Sequence, residues 1–168
     1  MEPILFMVHR IPYPPNKGDK IRSFNILRWL SQRYEVHLGC FVDCKEDRQY
    51  VEELKAYCRS YKVIELNSVV SKLRSLSAFV SGDPLTVPYF SSKQLRGWVD
   101  QVVEEYGIQK GLMFSSSMGQ YLEHDTFNGM LRVLDLVDVD SGKWRQYAKV
   151  KLWPMKWVYE REARLMEA

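Results

Sequence analysis

Five short apolar runs, each separated from the next by residues at helical spacing, constrain this chain most. The runs cover 4–8, 36–42, 62–66, 110–114 and 131–137. They are strand-length and rich in β-branched and aromatic residues, the mark of strands buried on both faces. Between them, Ile21, Phe24, Leu27 and Leu30, and later Leu95, Trp98, Val99 and Val102, recur at the spacing of a helix with one apolar side. Strands alternating with helices in this way predict an α/β chain: a Rossmann-like open parallel sheet, helices on both faces, joined by right-handed crossovers.

The helix boundaries are written in local chemistry. The first helix is expected to end near 33–34 and the second to run over 50–58. The third opens on Ser68 and stops at Gly82-Asp83-Pro84. Its apolar residues (Val69, Val70, Leu73, Leu76, Phe79) are expected to face the core, with a membrane surface as the alternative for a face flanked by Lys72 and Arg74. A fourth helix opens on Ser91-Ser92 and stops at Gly107, after a connection over 84–88.

In an open α/β sheet, ligands sit beyond the carboxyl ends of the strands. The first such loop is His9-Arg10-Ile11-Pro12-Tyr13-Pro14-Pro15-Asn16-Lys17-Gly18-Asp19-Lys20-Ile21-Arg22-Ser23. Asp19 falls at a helix start, and Lys17, Lys20 and Arg22 cluster beside its exposed N–H groups, a seat for an anion such as phosphate. With Gly18 alone, the loop lacks the three spaced glycines of a dinucleotide site, and it lacks the phosphate loop of nucleotide hydrolases. The alternative is a proline-stiffened turn with solvated cations.

Two more loops qualify. Ser115-Ser116-Ser117-Met118 follows the fourth strand, where hydroxyls and amides can bind a sugar or phosphate or simply cap a short helix. Asp135, Asp138 and Asp140 bunch at the end of the fifth strand beside Ser141, Lys143 and Trp144. Neighbouring carboxylates repel unless cations, amides or ligand hydroxyls satisfy them, which marks a site unless they only cap a helix. His124 and Asp125 are expected in an exposed loop.

The remaining numbers mostly exclude. The 168 residues suit about one domain, and 46% hydrophobic with 27% charged residues is ordinary for a globular protein. A net charge of +3 gives no reason to expect nucleic acid. No apolar run approaches the roughly 20 residues of a membrane span, and the amino terminus does not read as a secretory signal. Cys40, Cys44 and Cys58 lack metal-site spacing and read as reduced thiols of a cytoplasmic protein. Toward the carboxyl end, Trp144, Trp153 and Trp157 lie among Lys149, Lys151 and Lys156. They suit either a membrane-surface belt or, preferably, contact with a further domain, because the helical pattern over 159–166 stops without a cap. The expected division is a domain over 1–148 and a linker helix over 149–168.

The loop at 9–23 and Asp135-Leu136-Val137-Asp138-Val139-Asp140-Ser141-Gly142-Lys143-Trp144-Arg145-Gln146-Tyr147 together resemble the amino-terminal half of GT-B glycosyltransferases of the GT4 type. More narrowly they resemble the sugar transferases associated with exosortase exopolysaccharide systems. The resemblance implies the acceptor-binding domain of a two-domain enzyme that moves a sugar, with retention, from a nucleotide-sugar to a glycan or lipid-linked acceptor. It implies no metal and no cofactor beyond the donor, a carboxyl-terminal domain holding that donor, and cytoplasmic work with candidate peripheral contact at the inner membrane face. By position, Asp19 would orient or deprotonate the acceptor hydroxyl. Pro15, Asn16, Lys17, Gly18, Lys20 and Arg22, with Ser115, Ser116, Ser117, Met118, Asp138, Asp140, Ser141 and Trp144, would line the cleft. The family's donor-holding glutamate pair has no counterpart here, so this chain alone is expected to be inactive. Two other readings stay open: a metal-dependent phosphatase-like hydrolase using Asp138 and Asp140, and a non-catalytic flavodoxin-like binding module.

Overall fold

The structure is a computed structural model that describes residues 1–123, 127–137, 149 and 152–165. Five strands, β1 (Glu2–Val8), β2 (Tyr34–Val42), β3 (Ser60–Glu65), β4 (Lys110–Phe114) and β5 (Leu131–Asp135), form one sheet in the order β3-β2-β1-β4-β5. Every pairing is parallel, with Ile4 opposite Val36 and Leu5 opposite Gly111. The expected α/β, Rossmann-like open sheet is therefore what the chain forms.

Side chains along β1 alternate between two cores. Leu5 and Met7 join Leu95, Val99 and Val102 of α5 (Lys93–Tyr106), while Ile4, Phe6 and Val8 join Phe24, Leu27 and Leu30 of α1 (Gly18–Ser31). A strand covered on both sides needs apolar residues at every position, which is why β1 reads as an unbroken run. Gly39 of β2 is required by the same packing: a Cβ there would meet Met7 Sδ at 2.6 Å and Leu95 Cδ1 at 3.2 Å. Ser92 caps α5 by accepting from the Leu95 N–H at 3.2 Å, and Gly107 closes it in the left-handed conformation.

Departures from expectation are informative. Residues Lys45–Ala56 wind as a 3₁₀ segment, burying only Asp47 and Leu54. The expected connection over 84–88 contains a helical turn, α4 (Thr86–Tyr89). The helix expected to open on Ser68 is capped by Asn67, and it divides into α2 (Ser68–Ser75) and α3 (Ala78–Ser81) before Gly82. Its orientation is the reverse of a core-facing helix: α2 buries Ser71 and Ser75 and exposes Val69, Val70 and Leu73. The last helix, α6 (Met155–Leu165), lies on the same side. Its buried Glu162 accepts from the Leu85 N–H at 2.7 Å, and Arg161 donates to the Ala78 carbonyl at 2.6 Å. No helix among the described residues is long and apolar enough to cross a membrane.

Candidate functional site

The chain leaves β1 toward β2 and returns to β4 on β1's other side, so the strand order reverses between β1 and β4. A crevice opens at the carboxyl ends of strands at such a point. A depression of about 460 Å³ lies there, bordered by His9, Arg10 and Asp19, by Thr86 and Phe90, by Ser115 to Ser117, and by Leu136 and Val137.

Asp19 sits in the first turn of α1 and faces back toward β1. Its Oδ2 lies 3.5 Å from His9 Nε2 and accepts from Arg10 Nη1 at 3.1 Å. Hydrogen bonding from His9, reinforced by Arg10 and the Lys20 N–H, holds its carboxyl well below the usual carboxylate range. A carboxylate so stabilised orients a partner and is a poor proton acceptor.

His9 is stacked on Phe114, with ring centroids 6.0 Å apart, and meets Phe90 edge-on. Because an ionised Asp19 only accepts, the ring nitrogen that faces it, Nε2, donates. The other, Nδ1, is buried and has no hydrogen-bond partner among the described residues, and neither has Thr86 Oγ1. Two unmade hydrogen bonds in residues of one depression are what a ligand or ordered water would complete.

Backbone strain falls in the same place. Ser115 (φ 92°) and Val137 (φ 65°) are the non-glycine residues with positive φ among those described, and both border the depression. Ser115 is held by its N–H, which donates to the Asp135 carbonyl at 2.8 Å, and its Oγ lies 3.2 Å from Ser117 Oγ. Val137 is held by its N–H donating to Asp135 Oδ1 at 2.9 Å.

The structure thus brings Asp19 together with Ser115, Ser116 and Ser117. Other expected residues lie elsewhere. Lys20 is a correction to the anion seat: its ammonium is buried and donates to Asp47 Oδ2 at 2.6 Å, inside the core rather than toward a ligand. Arg22 grips both oxygens of Asp135 at 2.7 and 3.0 Å. With Gly18, it borders a separate apolar groove between α1 and the β4–β5 edge. Met118 is also a correction, being fully buried in the core. Pro15, Asn16 and Lys17 are exposed on the loop outside the depression. Asp138, Asp140, Ser141 and Trp144, and likewise His124 and Asp125, lie outside the described residues.

Two of the three expected cations are therefore spent on carboxylates, and Arg10 is shared between Asp19 and Asp43, the latter at 2.8 Å. What faces the depression is an imidazole, hydroxyls, a fixed carboxylate and the Arg10 guanidinium already shared between two carboxylates, a set that hydrogen-bonds hydroxyl groups better than it neutralises phosphate. Among the described residues no cluster of three His, Cys, Asp or Glu side chains could hold a metal. The sequence assigns no role to His9. Its signal was position, as the first residue beyond a strand's carboxyl end; Thr86 and Phe90 carried no such signal. No protein-family model, curated protein or solved structure matches the chain. The class defined by fold and geometry is an open parallel α/β domain with a polar depression at its topological switch point.

Proposed function

We propose that this chain is the acceptor-side domain of a retaining glycosyltransferase of GT-B architecture, GT4 type, acting in exopolysaccharide or cell-envelope synthesis in the cytoplasm. The donor is a nucleotide-sugar held by a carboxyl-terminal domain, and the acceptor is a glycan or lipid-linked sugar held here. The observation that carries the reading is the His9–Asp19 pair at the switch point, with His9 Nδ1 unpartnered in a depression rimmed by serine hydroxyls. In this arrangement Asp19 fixes the imidazole, and Nδ1 accepts a hydrogen bond from the acceptor hydroxyl. Ser115 bonds a neighbouring hydroxyl, with the buried Ser117 hydroxyl behind it at 3.2 Å, and Phe90 offers an apolar wall for a sugar ring.

The test is turnover of a panel of nucleotide-sugars by the chain with its natural continuation, comparing wild type with His9→Ala and Asp19→Asn. Positioned proton-transfer groups contribute about 10²–10⁴-fold, so both variants should lose activity on that scale while retaining donor affinity. Wild-type turnover left unchanged by either substitution removes the pair from the site, and absence of any sugar transfer removes the reading.

A further inference from the structure

Asp43 stands outside the depression and still reaches it. It follows β2 as His9 follows β1, and it lines a neighbouring hollow of about 350 Å³ at the carboxyl ends of β2 and β3. The backbone draws the first loop against β2: the Ile11 N–H donates to the Phe41 carbonyl at 2.7 Å, and the Ile11 side chain is fully buried. Arg10 is thereby set between two carboxylates. Its Nε, shut off from water, has Asp43 Oδ2 beside it at 2.8 Å, and its Nη1 donates to Asp19 Oδ2 at 3.1 Å.

The Arg10 side chain is 38% exposed. At such exposure one ion pair holds a long side chain poorly, because the rotamer entropy lost offsets most of what the pair gains. Two contacts on different edges of a planar guanidinium fix its plane. Burial by itself would lower the Arg10 pKa, yet Asp43, followed by Asp19, holds it above its ordinary value. The grip matters because one oxygen, Asp19 Oδ2, serves both Arg10 and His9, whose Nε2 lies at 3.5 Å. With Arg10 free to swing into solvent, the carboxylate loses a neighbour that keeps this oxygen turned toward the imidazole.

We propose that Asp43 is a positioning residue: through Arg10 it fixes the orientation of Asp19 and so of the His9 imidazole. Its service to catalysis rests on the transferase reading, whereas the brace is a property of the ligand-free chain.

The chain has three histidines, His9, His37 and His124, so the His9 ring N–H can be identified in NMR spectra by its loss in His9→Gln. Its exchange with water should be slow in wild type, about tenfold faster in Asp43→Asn and partly slowed again in Asp43→Glu, while amide exchange in β1 and β2 stays as in wild type. In the chain with its natural continuation, Asp43→Asn should lower kcat about tenfold or more and leave KM for the nucleotide-sugar unchanged. The same substitution should cost less than about twofold once Asp19 is already Asn. A His9 ring proton as protected in Asp43→Asn as in wild type overturns the brace, and equal losses of kcat in both backgrounds overturn its route through Asp19. Should Asp43→Asn unfold, Asp43→Ser replaces it. A wild-type chain that transfers no sugar removes the transferase reading and leaves the ring proton to decide the brace.

Discussion

Lys20 decides between a chain that uses its helix start to bind anions and one that uses it to hold itself together. The ammonium and the Asp47 carboxylate are 2.6 Å apart, with side chains 2% and 8% exposed, so neither charge has water to fall back on. Removing one partner of a buried pair strands the other, a loss of about 3–5 kcal/mol. Lys20→Met should therefore lower the thermal midpoint by about 6–20 °C, at the about 2–4 °C per kcal/mol typical of chains this long. Replacing both partners, Lys20→Met with Asp47→Leu, removes the stranded charge and should return stability to within about 1 kcal/mol of wild type or above it. Urea unfolding followed by circular dichroism at neutral pH measures all four corners of the cycle. Two results would refute the reasoning. One is a single-variant loss below about 1 kcal/mol; the other is a double variant as unstable as the summed singles, which would mean that the groups are not coupled. An anion-binding Lys20 would behave in the opposite way, leaving stability alone and changing ligand affinity.

Asp19 makes stability pH-dependent. Its native carboxyl is depressed relative to the unfolded chain, so its contribution is whole above the ordinary value of about 3.9 and is lost as pH falls further. Asp19→Asn should flatten the acid limb of a denaturation series while leaving the slope above pH 6 unchanged; an unaltered acid limb would contradict the His9 and Arg10 contacts. Ser115→Gly relieves a positive φ and should stabilise the chain by about 1 kcal/mol while weakening sugar binding through the lost hydroxyl. A destabilised glycine variant would show that the serine's contacts outweigh the strain. Gly39→Ala should cost about 1–3 kcal/mol through its encounter with Met7, and much less in a Met7→Ala background; equal costs in both would place the obstruction elsewhere.

The strands were legible because a doubly covered strand cannot afford polar positions, and the continuous apolar runs say so directly. Their ends were not. β1 begins at Glu2 and β2 at Tyr34, earlier than hydrophobicity suggests, because ladder hydrogen bonds do not depend on side chains and the Glu2–Lys110 ion pair, at 2.7 Å, lies at the sheet's end. α5 was legible at both ends, since Ser92 and Gly107 act on their own backbone neighbours. α2 was misread for a physical reason. Periodicity shows that a helix has an apolar face but not what that face meets, and Ser71 and Ser75 are small enough to pack closely against α4 while the leucines are left outside.

The same distinction between local and distant chemistry explains the site. Asp19 could be placed because its role follows from the helix it begins and the strand it follows. The charge of the seat around it could not, because two of its three cations are answered from far along the chain: Lys20 by Asp47, 27 residues on, and Arg22 by Asp135, 113 residues on. Counting lysines and arginines beside a helix start therefore overstates its appetite for phosphate, and pairing turns an apparent anion trap into a brace for α1. With Lys20 and Arg22 occupied, the hydrogen bonds left unmade at the crevice are those of His9 Nδ1 and Thr86 Oγ1, while the Ser115 and Ser117 hydroxyls bond each other, and it is this unspent hydrogen bonding, rather than net charge, on which the proposed sugar acceptor rests.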